Sequence, residues 1–413
     1  MLTAGTPPSP SERTPLALRL PLDFLKTEAA GGAALALAAL AGFVLANSPW
    51  AHVYFRLVGA DFTVQLGGFA EILTVKAWVK EGLMAVFFFV VGLEIKQEVV
   101  KGELSSPRRL ALPVIAAGGG MLVPAVVYLL FNLGAGGAPH AWPIPTATDI
   151  AFALAAMALV GKGLPQSLRV FLLAMAIADD LGAVGLIAVL YSNQIHVWPL
   201  AGAALTLIGL IALSEWKDAP FLLRLAGYLA LWAFTLRSGV NTALAGVAGA
   251  LTVPVGAPRP GQEAVLKHFL RTLQPYVAFG VLPLFALTAA GVSLKGVSPG
   301  QLLGPTPLGI AAALVVGKQA GVLGAVWVAI RTGLARRPTG ANWLELYGVA
   351  ALCGVGFTLS LFLAALAFPR GGAMMTDATL GVVAGSLASA AFGAGVLSVA
   401  AARRRRLRPV QED

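Results

Sequence analysis

The chain has 413 residues, of which 58% are hydrophobic and only 12% are charged, with a formal net charge of +10. Soluble proteins carry about 25% charged residues, so this composition excludes an ordinary soluble domain and favours a polytopic helical membrane protein. The continuous apolar runs also exclude an outer-membrane barrel, whose strands alternate apolar and polar residues. A single cysteine, Cys353, excludes a disulfide framework.

Apolar segments of membrane-spanning length follow one another along most of the chain. We expect an all-α fold with a cytoplasmic N-terminal tail over 1–29, a transmembrane domain over 30–402 and a basic tail over 403–413. The N-terminal tail has no apolar core or evident cleavage site, so it is not interpreted as a signal peptide. The segments predict twelve transmembrane helices, at residues 30–47, 82–100, 110–131, 142–160, 167–191, 197–213, 220–236, 239–255, 270–291, 306–330, 343–367 and 376–402.

Basic residues are distributed unevenly between the two sides of these predicted spans. Twenty-two of the 29 Lys and Arg residues fall on the side that holds both termini, and six fall on the other side. The positive-inside rule therefore predicts that both termini are cytoplasmic, as in a multi-pass protein of a bacterial inner membrane. This bias accounts for the net charge without nucleic-acid binding. The cluster at Arg403–Arg408 is expected to contact anionic membrane lipid.

Very few ionisable residues fall clearly inside the predicted spans. They are Asp149, Asp179, Asp180 and Lys318. A charged side chain at the membrane centre costs about 2.5–3.5 kcal/mol on insertion scales, and such residues are functional by default. Asp179 and Asp180 lie near the middle of the fifth span, which makes them the first candidates for a site.

Two of the predicted spans contain residues that interrupt helices. The fourth contains Pro143 and Pro145, which lack backbone donors, and the eleventh has Gly354 and Gly356 at its centre. An ordinary glycine packing face is an alternative reading of the second pair. Because spans 3–5 and 10–12 enter from opposite sides, interruptions at the middle of each triplet predict inverted-topology repeats with a site at their interface.

Half-helices that meet inside a membrane leave buried helix ends. Each end carries about half an elementary charge, positive at the N-terminus and negative at the C-terminus. Asp149 is therefore expected to compensate the positive ends, and Lys318 the negative ends. As the one cation inside the spans, Lys318 is also expected to form an ion pair with an aspartate.

Adjacent residues on a helix point about 100° apart, so Asp179 and Asp180 cannot share one face. One is expected to face a water-filled cavity and the other a neighbouring helix. Burial and like charge both favour the neutral carboxyl, so such a group can bind and release protons. Deprotonated, the pair offers hard oxygen ligands for Na⁺ or Li⁺, with the Thr148 hydroxyl completing the shell. Competition between protons and the cation would amount to exchange. The alternative is a protonated pair that only joins helices.

Several segments, in order and covering nearly all of 29–402, resemble the NhaA Na⁺/H⁺ antiporters of bacteria. They are FFFVVGLEIKQEVVKGEL, PVIAAGGGMLVPAVVYL, PIPTATDIAFAL, AIADDLGAVGLIAVLYSN, LPLFALTAAGVSL and CGVGFTLSLFLAALAF. The resemblance implies a secondary transporter for pH and sodium homeostasis, with no enzymatic activity and no cofactor. It implies electrogenic exchange of one Na⁺ or Li⁺ for two protons.

The same resemblance implies roles for particular residues. Asp179 and Asp180 would carry the ions and protons, Thr148 and Asp149 would lie where the fourth span unwinds, and Lys318 would lie near the crossing. It also implies a homodimer, joined partly by a β-hairpin near 53–68 with its turn at Gly59–Asp61.

The cytoplasmic pH-sensing cluster of that family is only partly present. Glu94 and Glu98 match it and His268 lies close by, although a solvated helix end is an equally good reading of all three. Residues that differ from the family pattern here are Gln97, Asn241, Leu270, Arg271 and Gln274. We therefore expect the exchange site to be retained and the pH set-point to differ.

Three other functions have to be weighed. An intramembrane aspartyl protease needs two aspartates on different helices, whereas Asp179 and Asp180 are contiguous. A channel needs a polar pore lined from several helices. A Na⁺-coupled symporter of a small solute remains the alternative, because only the scarcity of polar residues for a solute argues against it.

Overall fold

The computed structural model describes residues 16–66, 69–101, 107–161, 163–192, 195–216, 219–256 and 264–407. In these residues the protein is almost entirely helical, with one two-stranded antiparallel sheet. In chain order the elements are α1 (Leu16–Ala46), α2 (Ala51–Val58), β1 (Asp61–Leu66), β2 (Phe69–Thr74), α3 (Val75–Trp78), α4 (Met84–Lys101), α5 (Pro107–Asn132), α6 (Ile150–Val160), α7 (Gln166–Leu190), α8 (Val197–Glu215), α9 (Phe221–Ser238), α10 (Thr242–Thr252), α11 (Val265–Tyr276), α12 (Leu282–Ala289), α13 (Pro299–Leu302), α14 (Pro305–Ala312), α15 (Lys318–Arg331), α16 (Trp343–Leu352), α17 (Phe357–Ala367) and α18 (Ala373–Leu407).

The helices are long and apolar enough for several membrane crossings. Within the described residues six spans qualify, and the total rises to nine if each of three bent pairs counts as one span. Each predicted span contains a helix, but α4, α9 and α10 are not among those nine. The protein is therefore a polytopic helical membrane protein, and the number of twelve crossings stays a prediction.

The first helix begins earlier than the sequence predicted. It starts at Leu16, inside the segment expected to be a tail, and ends at Ala46. Residues 16–29 include five Leu and two Ala, which have high helix propensity, so the backbone continues as helix before the apolar span begins.

The predicted position of the β-hairpin is wrong. Strands β1 and β2 pair with Asp61 opposite Thr74 and Leu66 opposite Phe69, so the chain reverses between Leu66 and Phe69. Gly59, placed in the turn by the prediction, instead caps the C-terminus of α2. The segment predicted as the first strand is thus largely helix α2.

The fourth and eleventh predicted spans are both broken. The helical segments at Pro139–Thr146 and α6 are bent by 41° at their junction, and so are α16 and α17. Prolines explain the first break, since they remove backbone donors. Glycines explain the second. A Cβ on Gly356 would collide with the Ser360 hydroxyl, and one on Gly354 would collide with the carbonyl of Leu314.

Helix α7 lies at the centre of this arrangement. Of its apolar window 61% is buried within the protein, against 11% for α8. Its neighbour α5 packs so closely on α15 that a Cβ on Gly119 would collide with the carbonyl of Gly321. A π-helical turn at Ala313–Gly317 precedes Lys318. Such turns often occur at functional sites.

Candidate ion-binding site

The two broken helices contact each other through their non-helical linkers. The backbone N–H of Asp149 donates a hydrogen bond to the carbonyl of Val355, at 2.6 Å. The hydroxyl of Thr148 donates to the carbonyl of Cys353, at 2.9 Å. Each linker thus satisfies backbone groups that the other leaves free, which permits irregular backbone inside a membrane protein.

Asp149 contacts the N-terminal ends of two helices at once. Its Oδ1 caps α6 by accepting a hydrogen bond from the N–H of Phe152, at 3.0 Å. Its Oδ2 accepts from the N–H of Thr358 at 3.0 Å and from the Thr358 hydroxyl at 2.5 Å, at the start of α17. The carboxylate therefore lies where two positive helix ends converge.

Lys318 lies beside this crossing and is completely buried. Its Nζ is 2.7 Å from Oδ2 of Asp179 and donates to the Thr148 hydroxyl at 3.0 Å. Since Thr148 donates onward to the Cys353 carbonyl, a continuous chain of polar contacts joins α7, α15 and both linkers. The negative end of α16 is reached through that hydroxyl.

Asp180 faces a different environment from Asp179. It lies on a cavity of about 300 Å³ between α1, α4, α7 and α11. Among the described residues, Oδ1 of Asp180 has no hydrogen-bond partner, and the same is true of Oδ1 of Asp179. The polar side chains that line the cavity are Glu94, Thr148, Asp149, Asp180, Arg271, Gln274 and Thr358. This arrangement presents carboxylate, hydroxyl and amide oxygens to a space large enough for water and a small cation.

The residues considered for pH sensing are only partly gathered at this cavity. Oε1 of Glu94 accepts a hydrogen bond from Nε2 of Gln274, at 3.0 Å, on the cavity wall. His268 is exposed on α11, and neither it nor Glu98 lines the cavity. Asn241 caps the N-terminus of α10 through its side chain.

Several polar residues at the site were missed by the sequence analysis. Thr358 binds Asp149, and the Ser360 hydroxyl donates to the carbonyl of Ile144 at 2.7 Å. The available signal was the pair of hydroxyl residues two and four positions after Gly356, which parallels the hydroxyl residues before Asp149 in the other broken helix. Gln274 was noted only as a departure from the family pattern, and its contact with Glu94 was not foreseen because the two residues are distant in sequence.

Comparison with known proteins gives a consistent result along the whole chain. A protein-family profile described as Na⁺/H⁺ antiporter 1 matches residues 22–397. Na⁺/H⁺ antiporter NhaA 2 of Pseudomonas syringae pv. syringae is 47% identical over 393 residues, covering 94% of this chain and 97% of that protein. Na⁺/H⁺ antiporter NhaA of Bordetella parapertussis is 48% identical over 389 residues, covering 91% and 95%. The protein of the same name from Sphingopyxis alaskensis is 45% identical over 394 residues, covering 94% and 91%.

Proposed function

Because the chain belongs to the NhaA family of Na⁺/H⁺ antiporters, we propose that Asp179 and Asp180 bind the exchanged ions. The protein is a secondary transporter that exchanges Na⁺ for H⁺, and it is not an enzyme. The alternative of a Na⁺-coupled symporter is not favoured, since the relatives are named antiporters. The observation that carries the site proposal is the position of Asp180 on the cavity, one residue from the Asp179–Lys318 pair.

Exchange follows from competition for the same oxygens. With the aspartates deprotonated, the carboxylate of Asp180 and the hydroxyl of Thr148 bind Na⁺ or Li⁺, which prefer hard oxygen ligands. With protons on the carboxyls, those ligands are lost and the cation leaves. Asp180 carries one proton. The second is carried by Asp179 or by Lys318, whose pairing is broken when the site changes occupant.

Unequal charge makes such a cycle sensitive to voltage. Two protons against one Na⁺ or Li⁺ move one net charge per cycle, so we propose electrogenic exchange. At 100 mV about 2.3 kcal/mol is available per charge, which shifts an exchange equilibrium more than tenfold. With this stoichiometry a proton-motive force would expel Na⁺, which would serve pH and sodium homeostasis.

Two further residues stabilise the crossing in this proposal. Asp149 compensates the positive ends of α6 and α17, supported by its hydrogen bonds to Phe152 and Thr358. Lys318 compensates the negative end of α16 through Thr148. Gly356 allows its linker to approach the carbonyl of Ala147 in the other linker, and Gly354 allows a close approach to Leu314 and Ser389. Glu94 is proposed to respond to pH from the cavity wall; Glu98 and His268 remain weaker candidates because they do not line it.

The arrangement in the membrane is also a proposal. We expect twelve crossings with inverted repeats at spans 3–5 and 10–12, both termini in the cytoplasm, and insertion in a bacterial inner membrane. A homodimer joined through β1 and β2 is supported by the open edges that a two-stranded sheet presents. Membrane lipid is the other expected partner.

The site proposal is tested by comparing Asp180→Asn with Asp377→Asn in proteoliposomes. Both variants replace a membrane-helix aspartate with its amide, but Asp377 lies on α18 away from the cavity. Because an amide cannot titrate and is a poorer Na⁺ ligand, Na⁺-dependent proton movement should be lost in Asp180→Asn alone. Exchange near the unmodified level in a folded Asp180→Asn protein would refute the assignment.

A further inference from the structure

One arginine of the C-terminal cluster contacts a buried carboxylate. Nη1 of Arg404, near the end of α18, donates to Oε1 of Glu345 at 2.8 Å and to the carbonyl of Gly340 at 3.0 Å. The Glu345 side chain is completely buried, whereas that of Arg404 is 30% exposed. The neighbouring Arg403 and Arg406 are exposed. Arg404 therefore differs from Arg403 and Arg406, for which contact with lipid was expected.

Glu345 also forms the N-terminal cap of α16. Its Oε2 accepts a hydrogen bond from the N–H of Asn342 at 2.9 Å, and its own N–H donates to Oδ1 of Asn342 at 2.8 Å. The two carboxylate oxygens are thus shared between the cap and Arg404. Since a buried charge without its partner is costly, removal of Arg404 should disturb the cap itself.

The other end of α16 reaches the ion site. This helix has ten residues, so it is about 15 Å long. Just beyond its last residue, the carbonyl of Cys353 accepts the hydrogen bond from Thr148. Along its length α16 packs closely on α18, where a Cβ on Gly348 would collide with the side chain of Leu397. A displacement at the Glu345 end is therefore carried to the Cys353 carbonyl.

The loop before α16 is joined to the aspartate-bearing helix as well. The hydroxyl of Ser167, in the first turn of α7, donates to the carbonyl of Thr339 at 2.7 Å. Arg404 binds the carbonyl of the next residue, Gly340. One short loop thus connects the ends of α7, α16 and α18.

We propose that Arg404 is a positioning residue for Na⁺ binding, which acts by fixing α16 through Glu345 and Gly340. It holds the Cys353 carbonyl against Thr148 and so sets the geometry of the ion site. This inference rests on the proposed site through Thr148. Loss of Arg404 should weaken Na⁺ binding more than it slows turnover.

The test compares Arg404→Gln with Arg403→Gln in the full-length protein in proteoliposomes. Both variants remove one positive charge from the same cluster, but Arg403 has an exposed side chain. For Arg404→Gln we expect the apparent KM for Na⁺ to rise about fivefold or more. The pH profile should also be altered, whereas the maximal rate should change less. Arg403→Gln should leave all three unchanged. Arg404→Lys, which keeps the charge but replaces the planar guanidinium by an ammonium group, should give an intermediate KM.

A double variant separates the ion pair from other effects. In Glu345→Gln with Arg404→Gln no unpaired buried carboxylate remains, so its KM should be no higher than that of Arg404→Gln alone. Equal KM values for Arg404→Gln and Arg403→Gln would overturn the proposal. A lower melting temperature of Arg404→Gln with an unchanged KM and pH profile would also overturn it. If Arg404→Gln does not fold, equal KM values for Arg404→Lys and Arg403→Lys would overturn it. Continued exchange by Asp180→Asn would refute the proposed ion site. It would leave the Arg404 proposal open to its own test, because the effect of Arg404 is measured as a change in the KM for Na⁺ exchange.

Discussion

Asp179 and Asp180 are identical neighbours in sequence, yet they lie in two different regions of the protein. Asp179 is fully buried and has one oxygen 2.7 Å from Nζ of Lys318. Asp180 lies on the cavity and has no ion pair with Lys318, while its Oδ1, like Oδ1 of Asp179, has no hydrogen-bond partner among the described residues. The rotation of about 100° between successive helical residues produces this difference. A contiguous pair can therefore place one carboxylate in a buried ion pair and the other on a cavity.

The largest expected effect concerns Asp179, which is buried beside Lys318. Lys318→Ala leaves the Asp179 carboxylate buried without a cation, which should lower the free energy of unfolding by about 3–5 kcal/mol. Thermal unfolding in detergent measures this, with Lys267→Ala as the control because Lys267 is exposed on α11. An unchanged melting temperature for Lys318→Ala would contradict a structural role for the pair.

A second prediction concerns pH and Asp180, which lies on the cavity. In the proposed site protons and Na⁺ compete for the same carboxyls, so the apparent KM for Na⁺ should rise as pH falls. Each competing proton contributes a change of about tenfold per pH unit in the range where the site titrates. Sodium-concentration series at several pH values give this slope. A KM that is independent of pH would show that protons and Na⁺ do not share the site.

The smallest effect is expected at Thr148, which lines the cavity and contacts Lys318. Thr148→Val keeps the shape of the side chain but removes the hydroxyl between Lys318 and the Cys353 carbonyl. Loss of such hydrogen bonds costs about 1–3 kcal/mol, so the KM for Na⁺ should rise about tenfold. Thr379→Val is the matched control, since its buried hydroxyl bonds only within its own helix. Equal KM values in the two variants would place Thr148 outside the ion site.

The sequence predicted the centre of the molecule better than its edges. Lys318 could be matched to an aspartate because no other cation lies near the middle of a predicted span, and Pro143 and Pro145 marked a break that local chemistry determines. Contacts between distant residues could not be foreseen in this way. Nothing in the local sequence indicates that Arg404 reaches Glu345, because α16 and α18 bring these residues together only in the folded protein.

The hairpin shows a different reason for failure. Two glycine-containing segments, at 59–61 and 67–68, were available as turns, and the resemblance favoured the wrong one. The segment Ala51–Val58 has apolar residues at helical spacing and folds as α2. Local periodicity was therefore a better guide there than the expected position of the hairpin.

The central claim is that one Na⁺ replaces two protons at the aspartate pair, and the balance of gradients tests it most directly. In proteoliposomes held at zero voltage with K⁺ and valinomycin, net Na⁺ flux stops when the Na⁺ and pH gradients balance. Exchange of two protons predicts that a pH difference of about one unit balances an approximately hundredfold Na⁺ gradient. Balance at about tenfold would mean one proton per Na⁺ and would contradict the claim.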